Sequence, residues 1–311
     1  MIEISSLIKS YGKKRVVDEL SFTVAPGTVT GFLGPNGAGK TTTLRMLLGL
    51  TRPDAGKALI EGKQYHEHPE PLRIVGSLLD ARWAHPKRTA RAHLEWLATA
   101  NRIGQRRVDE VLEQVGIASV ASQRVGTFSL GMAQRLGLAA ALIGEPRVLV
   151  LDEPVNGLDP EGVAWMRGMI RAQAAEGRTV LVSSHLLAEM AMTADHVVVI
   201  GQGRLLAQRS ISELVAHADE HGDRLSVYVR ADDLPRLRLS LTEHGAKIED
   251  SPECPEGSGL LVRGVANEEI GRLALRSGIA LYELTPRRAS MEDAFLRLTS
   301  QSVEYKGDVR G

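Results

Sequence analysis

Short apolar runs alternate with polar and glycine-rich stretches along the first two-thirds of the chain. "FTVAPGTVTGFL" (22–33) reads as strand, Pro-Gly turn, strand. "TLRMLLGL" (43–50) is predicted helical over 44–50 and to end near Gly49. "RVLVLDEP" (147–154) is a continuous apolar run bounded by prolines, the pattern of a strand buried on both faces. "RTVLVSSH" (178–185) and "DHVVVIGQG" (195–203) repeat it, with helical stretches between. Such alternation predicts an α/β fold with a parallel sheet flanked by helices. Near residue 217 the texture breaks at "AHADEHGD", which is polar and without period. Beyond it the order is strand 225–230, helix 234–244, strand 247–249, strand 260–263, helix 268–277, strand 280–284. That βαββαβ order predicts a small α+β domain of ferredoxin-like arrangement. A last helix, 291–299, is expected behind Ser290, with Asp293 as its capping partner. The expected domains are therefore 1–216 and 217–311.

Composition narrows the reading. The chain has 311 residues, 43% of them apolar, which suits a globular protein of one large or two ordinary domains. Lys plus Arg equals Asp plus Glu at 38 each, so no net field attracts nucleic acid, and none is expected as a partner. A single cysteine, Cys254, excludes an intrachain disulfide and reads as a bystander. The opening "MIEISSLIKSYGKK" has no apolar segment after a basic one, so no secretory signal is expected. The longest apolar stretch, "LGLAAALI" (136–143), is far short of the ~20 residues that span a bilayer. The expectation is a cytoplasmic chain whose membrane role is borrowed from a partner.

"GPNGAGKTT" (34–42), between a strand and a helix, fits G-x-x-x-x-G-K-[ST]. In that context the backbone N–H groups of Asn36, Gly37, Ala38, Gly39, Lys40, Thr41 and Thr42 form one concavity for phosphate oxygens, and the helix N-terminus adds partial positive charge. Gly34, Gly37 and Gly39 allow backbone angles and a close approach that side chains would block. Lys40 would reach the β- and γ-phosphates, and Thr41 would ligate magnesium. Asp152, ending "VLVLD", places a second oxygen donor for that ion, and Glu153 beside it is positioned to polarise a water for in-line attack.

"FSLGMAQR" (128–135), just ahead of that strand, resembles the signature of ATP-binding-cassette (ABC) ATPases, commonly LSGGQ followed by x-Q-R. Ser129, Gly131, Gln134 and Arg135 match; Leu130 and Met132 depart from it. Ser129 also suits the N-cap of a helix running to residue 143. The other elements of the family follow in order across residues 1–216. Tyr11 sits where the family stacks an aromatic on adenine, "NGLDP" (156–160) resembles the D-loop with Asp159 at a subunit seam, and His185 matches the switch histidine that contacts the γ-phosphate. The resemblance implies a P-loop ABC ATPase with a parallel sheet core, an antiparallel β part and a helical subdomain over about 80–145. It implies ATP and Mg²⁺ as ligands, with Glu153 and His185 catalytic. It further implies that two subunits pair head to tail, each giving Ser129 and Gly131 in trans to the other's ATP, and the intact motifs make a homodimer the expectation.

One position departs from the pattern. Where the family usually has a glutamine that ligates magnesium and links the site to the membrane partner, this chain has Asp80, an acid similar to that of one branch of drug and antibiotic exporters. The adjacent "ARWAHPKR" (81–88) is expected to contact the cytoplasmic helix of that partner. Trp96 and Trp165 read as packing residues. "YELTPRRASMEDAFLRLT" (282–299) resembles the tail of daunorubicin-resistance-type ATPases, with an expected regulatory or dimer-supporting role. The implied function is the ATPase subunit of an exporter, peripheral on the inner face of the cell membrane through a separate transmembrane permease; the alternative is a soluble ABC ATPase with no transport role.

Overall fold

A computed structural model describes residues 1–213, 226–250 and 259–287. The texture break near 217, Cys254 and the helix expected at 291–299 lie outside the described residues. The chain divides into two compact units, one within Met1–Ile211 and one within Ser212–Arg297.

The first unit opens with strands β1 (Ile2–Tyr11), β2 (Lys14–Val24) and β3 (Val29–Leu33), helix α1 (Lys40–Leu47) and strand β4 (Ala55–Ile60). Helix α2 (Pro71–Ile74), strand β5 (Val75–Leu78) and helices α3 (Ala90–Ala100), α4 (Arg106–Gln114) and α5 (Leu130–Leu142) follow. Strand β6 (Val148–Asp152), helix α6 (Pro160–Ala175), strand β7 (Thr179–Ser184), helix α7 (Leu187–Ala191) and strands β8 (His196–Gly201) and β9 (Arg204–Ser210) complete it.

Six strands form one sheet in the order β5-β6-β7-β3-β8-β9. The first five are parallel and β9 runs antiparallel on β8. Every residue of β3 and β7 is buried, as is every residue of β6 but Asp152. A parallel strand covered on both faces has no polar side to alternate with, which is why these segments read as unbroken apolar runs. A second sheet, β2-β1-β4, is antiparallel. Its Ile2, Leu7, Leu20 and Phe22 share a core with Phe32 of β3 and Leu44 and Leu47 of α1.

Helix α1 starts at Lys40, four residues before the start expected from apolar periodicity. The polar first turn, Lys40 to Thr43, is helical because Gly39, at φ 102°, turns the chain sharply into it. The Thr43 hydroxyl then donates back to the Gly39 carbonyl at 2.9 Å. At the other end Gly49 takes φ 69°, the left-handed stop the sequence suggested.

Helices α3, α4 and α5 fall between β5 and β6, within the span 80–145 expected to be helical. Thr89 caps α3 by accepting from Ala92 N at 3.1 Å. Trp165 packs as expected, with the Arg135 guanidinium 3.8 Å over its ring. Trp96 does not: it is 50% exposed on α3, with Arg88 4.9 Å over its face. The core positions of that helix are Ala90, His93, Leu94 and Ala98, and Trp96 falls off their stripe.

The second unit runs β10 (Ser226–Ala231), helix Leu234–Glu243, β11 (Lys247–Asp250), β12 (Leu260–Arg263), helix Asn267–Arg276 and β13 (Leu281–Arg287). Its strands form an antiparallel sheet in the order β11-β12-β10-β13, the ferredoxin-like arrangement. Leu237, Leu241, Ile270 and Leu273 of the helices close a core on Val227, Val229, Leu260 and Val262 of the sheet.

Candidate functional site

The residues from Pro35 to Thr42 wrap one side of a cavity of about 370 Å³, whose other walls are Val16, Glu153, Asn156 and His185. The loop holds this shape through its glycines. Gly37 and Gly39 take φ 83° and 102°, conformations an L side chain rarely adopts. A Cβ at Gly39 would also stand 2.6 Å from the Val16 carbonyl. Gly34 serves differently: it does not line the cavity, and a Cβ there would meet the Ile200 carbonyl at 2.6 Å. Its own carbonyl accepts from Lys40 Nζ at 2.6 Å.

Lys40 is only 7% exposed. Burial holds its ammonium below the usual lysine range, and the nearby charges of Glu153 and Asp152 pull the other way. Glu153 Oε1 lies 3.5 Å from Nζ, while its other oxygen, Oε2, is 2.8 Å from His185 Nδ1. Glu153 thus joins the cradle lysine to the histidine that follows β7. Its backbone takes φ 48°, strained for a residue with a Cβ, immediately after the last residue of β6. Two contacts fix this turn: Glu153 N donates to Ser183 Oγ at 2.9 Å, and the Ser183 hydroxyl bonds Asp152 Oδ1.

Asp152 Oδ2 accepts from Thr41 Oγ1 at 2.7 Å. Two hard oxygen donors from different elements therefore stand side by side, the donor set a small divalent cation takes. Asp80 is exposed, and its Oδ1 accepts from Arg82 N at 2.8 Å. With Thr41, Asp152, Glu153, Leu130, Gln134 and Asn156 it lines a second cavity, of about 580 Å³, that shares walls with the first.

The remaining predicted residues stand apart from the cradle. Ser129 caps α5, accepting from Met132 N at 3.2 Å, and neither it nor Gly131 lines either cavity. Asp159 caps α6, accepting from Gly162 N at 2.9 Å. The two caps lie on neighbouring segments, since a Cβ at Gly157 would come 2.6 Å from Leu130 and one at Gly131 3.6 Å from Leu158. Tyr11 is exposed at the end of β1, with Lys9 Nζ 5.6 Å from its ring centroid. Sequence reasoning missed Asn156, which lines both cavities, and Ser183, which fastens the acidic pair. Ser183 was open to detection two residues before the histidine; Asn156 was read only as the first residue of the D-loop-like "NGLDP", without a place in the pocket.

Residues 17–156 match a sequence family described as ABC transporter, and residues 225–292 match one described as a domain of unknown function. The chain is 37% identical over 304 residues to the bacitracin transport ATP-binding protein BcrA of Bacillus licheniformis, covering 96% of this chain and 97% of that protein. It is 34% identical over 310 residues to the daunorubicin resistance ATP-binding protein DrrA3 of Streptomyces coeruleorubidus, covering 98% of each. Among solved structures it resembles an ATP-binding subunit of an ABC transporter, at 27% identity and a TM-score of 0.64 over 70% of this chain and 92% of that one.

Proposed function

The chain belongs to the family of ABC transporter ATP-binding proteins, and from that premise we propose that it is the ATP-hydrolysing subunit of an exporter. The cargo class suggested by the relatives is drugs, antibiotics or other hydrophobic compounds, carried through a separate membrane permease. Among the described residues no helix is long and apolar enough to cross a membrane. A peripheral place on the inner face of the membrane, held through the permease, follows from the reading.

The observation that carries it is the position of Glu153. Its carboxylate meets Lys40 on one side and His185 on the other, at the edge of the phosphate cradle. In the proposed reaction the N–H groups of residues 36–42 and Lys40 hold the β- and γ-phosphates. Tyr11 stacks on the adenine. Thr41 and Asp152 are the residues that would hold magnesium, which when bound neutralises phosphate charge. Glu153 accepts the proton of the attacking water, and His185 contacts the γ-phosphate.

The site is one-sided within a single chain. Ser129 and Gly131, which the family gives to the γ-phosphate, line no part of the cradle cavity. We therefore assign them to the nucleotide of a second copy, with Asp159 at the seam. ATP then acts as the bond between two subunits, and loss of the γ-phosphate releases it. Glu153→Gln keeps the shape of the side chain and removes the base, so it is expected to trap an ATP-bound dimer. Size-exclusion chromatography reads this directly, and a monomer at saturating ATP would count against the mechanism.

Asp80 is proposed to take the place of the family's glutamine, reaching the metal site from the segment that leads to α3. "ARWAHPKR" beside it, with Trp83 46% exposed, is proposed to meet the cytoplasmic helix of the permease. Asp80→Ala is expected to lower transport in membrane vesicles by more than it lowers ATP affinity. Unchanged transport at normal expression would remove Asp80 from the link. Residues 1–216 are the proposed ATP-binding domain and 217–311 an accessory domain that regulates or supports the dimer. The soluble alternative has no observation in its favour: both relatives above are named for transport or resistance over nearly their whole length.

A further inference from the structure

One buried acid beside the cradle has no part in the reaction described above. Asp18 lies on β2, two residues after Val16, which lines the cradle cavity. Two arginines grip its carboxylate. Arg15 donates to Oδ1 at 2.6 Å, and two nitrogens of Arg204, Nε among them, reach Oδ2 at 2.6 Å. The hydrogen bonds from Arg15 and Arg204 hold the carboxyl below the usual aspartate range, so it is charged at neutral pH. A bulge in β2 turns it there. Between the pairs Leu7–Leu20 and Lys9–Val17, β2 has two residues, Asp18 and Glu19, where β1 has only Ile8. Glu19 takes φ 51°, and Val17 and Asp18 are both buried, although alternation along a strand would expose one of them.

What Asp18 holds touches the cradle. Strands β8 and β9 are joined by Gln202 and Gly203 alone, at φ 49° and 79°, the tight turn of a hairpin. Asp18 N donates to the Gly203 carbonyl at 2.9 Å, and Gly203 N donates to the Ala38 carbonyl at 3.0 Å. The fit admits no side chain, since a Cβ at Gly203 would stand 2.5 Å from the Val16 carbonyl. The Ala38 carbonyl and the Gly39 N–H belong to one planar trans peptide and point opposite ways. Holding that carbonyl therefore fixes the direction of an N–H that the proposed reaction gives to phosphate. Arg204 is the first residue of β9, so its grip on Asp18 ties the far end of the turn to the same strand.

We propose that Asp18 is a positioning residue for the phosphate cradle. Its N–H and its carboxylate clamp the β8–β9 turn at Gly203 and Arg204, and the turn sets the Ala38–Gly39 peptide for nucleotide before nucleotide arrives. A partly exposed ion pair is a weak source of stability, so the shape it enforces is the better reason for a charge at this place. The inference rests on the reading that the cradle holds the phosphates of ATP.

The test measures equilibrium affinity for ATP and for ADP, with magnesium and well below the melting temperature. It compares the full chain with Asp18→Asn, Arg204→Ala, Arg204→Lys and the double variant Asp18→Asn with Arg204→Ala. Asp18→Asn is expected to weaken both nucleotides by about tenfold, the scale of one charge-assisted contact. They should weaken together, because the cradle grips phosphates that both carry. The rate at saturating ATP should change by less than about threefold, a loss of binding and not of chemistry. Arg204→Ala should weaken both by about threefold, since Arg15 still holds Asp18, and Arg204→Lys should recover most of that loss. The double variant should bind within about twofold of Asp18→Asn alone, because Arg204 acts through Asp18. Should Asp18→Asn not fold, the exposed Arg204 decides through its two variants. Parent affinity in Asp18→Asn and Arg204→Ala, whatever their melting temperatures, or fully additive losses in the double variant, overturns the inference. Lys40→Ala tells that failure from a deeper one: if it binds ATP as the parent does, the cradle reading fails and the inference with it.

Discussion

His93 shows how one side chain can carry a property that its sequence neighbours conceal. It is 1% exposed on α3, both ring nitrogens lack a hydrogen-bond partner among the described residues, and Trp83 meets its ring edge-on at 4.7 Å. Burial, and then the charge of Arg88, pull its pKa down to about 4. The unfolded chain, with an ordinary histidine near 6.5, therefore takes up the proton first as pH falls. The contribution is complete above about pH 6.5 and is lost between there and about pH 4, some 3 kcal/mol in all. His93→Phe keeps a ring and removes both orphaned nitrogens, so urea midpoints measured from pH 7 to 4.5 should fall less steeply than in the parent. Equal slopes would place the acid sensitivity elsewhere. At this scale the cradle was legible, because Gly39, Lys40 and Thr41 are tied to phosphate geometry by fixed spacing. His93 was not, since its environment comes from Trp83, ten residues away, and only folding brings the two rings together. Glu153 lies between: its identity was readable, its left-handed backbone was not.

Among the elements, α5 combines two demands at its N-cap. Ser129 caps the helix, and the proposed dimer asks the same hydroxyl to reach a partner's γ-phosphate. The two roles separate by substitution. Ser129→Ala loses the cap and should cost about 1 kcal/mol. Ser129→Asp restores a good cap, favoured further by the helix dipole, but sets a carboxylate against phosphate. Ser129→Asp is expected to melt at or above the parent temperature while ATP hydrolysis falls by at least about tenfold, the loss of a charge-assisted contact. If hydrolysis survives in Ser129→Asp, the signature does not contact nucleotide. Interior strands were legible for a physical reason: β3, β6 and β7 are buried on both faces, and their apolar runs have no other explanation. Helix starts were harder. The first turn of α1 is polar because it faces the cradle, so periodicity placed its beginning four residues late. The strand β9, with exposed or half-exposed residues throughout, carried no such run and was not read at all.

For the whole molecule, the change of texture near residue 217 reflects two hydrophobic cores, one around Phe32 and Leu44 and one around Val227 and Ile270. Each closes with its own sheet and helices, so each has the means to unfold as its own cooperative unit. Nucleotide tests this, because a ligand stabilises only what it binds. At a hundredfold excess over its dissociation constant, ATP adds about 2.7 kcal/mol to the unit that holds the cradle. For a unit of this size that is a rise of roughly 5–10 °C in its midpoint. Calorimetry of Glu153→Gln, which holds ATP without turning it over, should then show two transitions of which one moves. Leu237→Ala identifies the other. It opens a cavity in the second core, where a buried leucine costs about 2–5 kcal/mol, and should lower the transition that ATP leaves in place. A single transition that answers to both ATP and Leu237→Ala would show one cooperative fold. The regulatory role proposed for residues 217–311 would then pass through shared stability, and not through contacts made only when two subunits close on ATP.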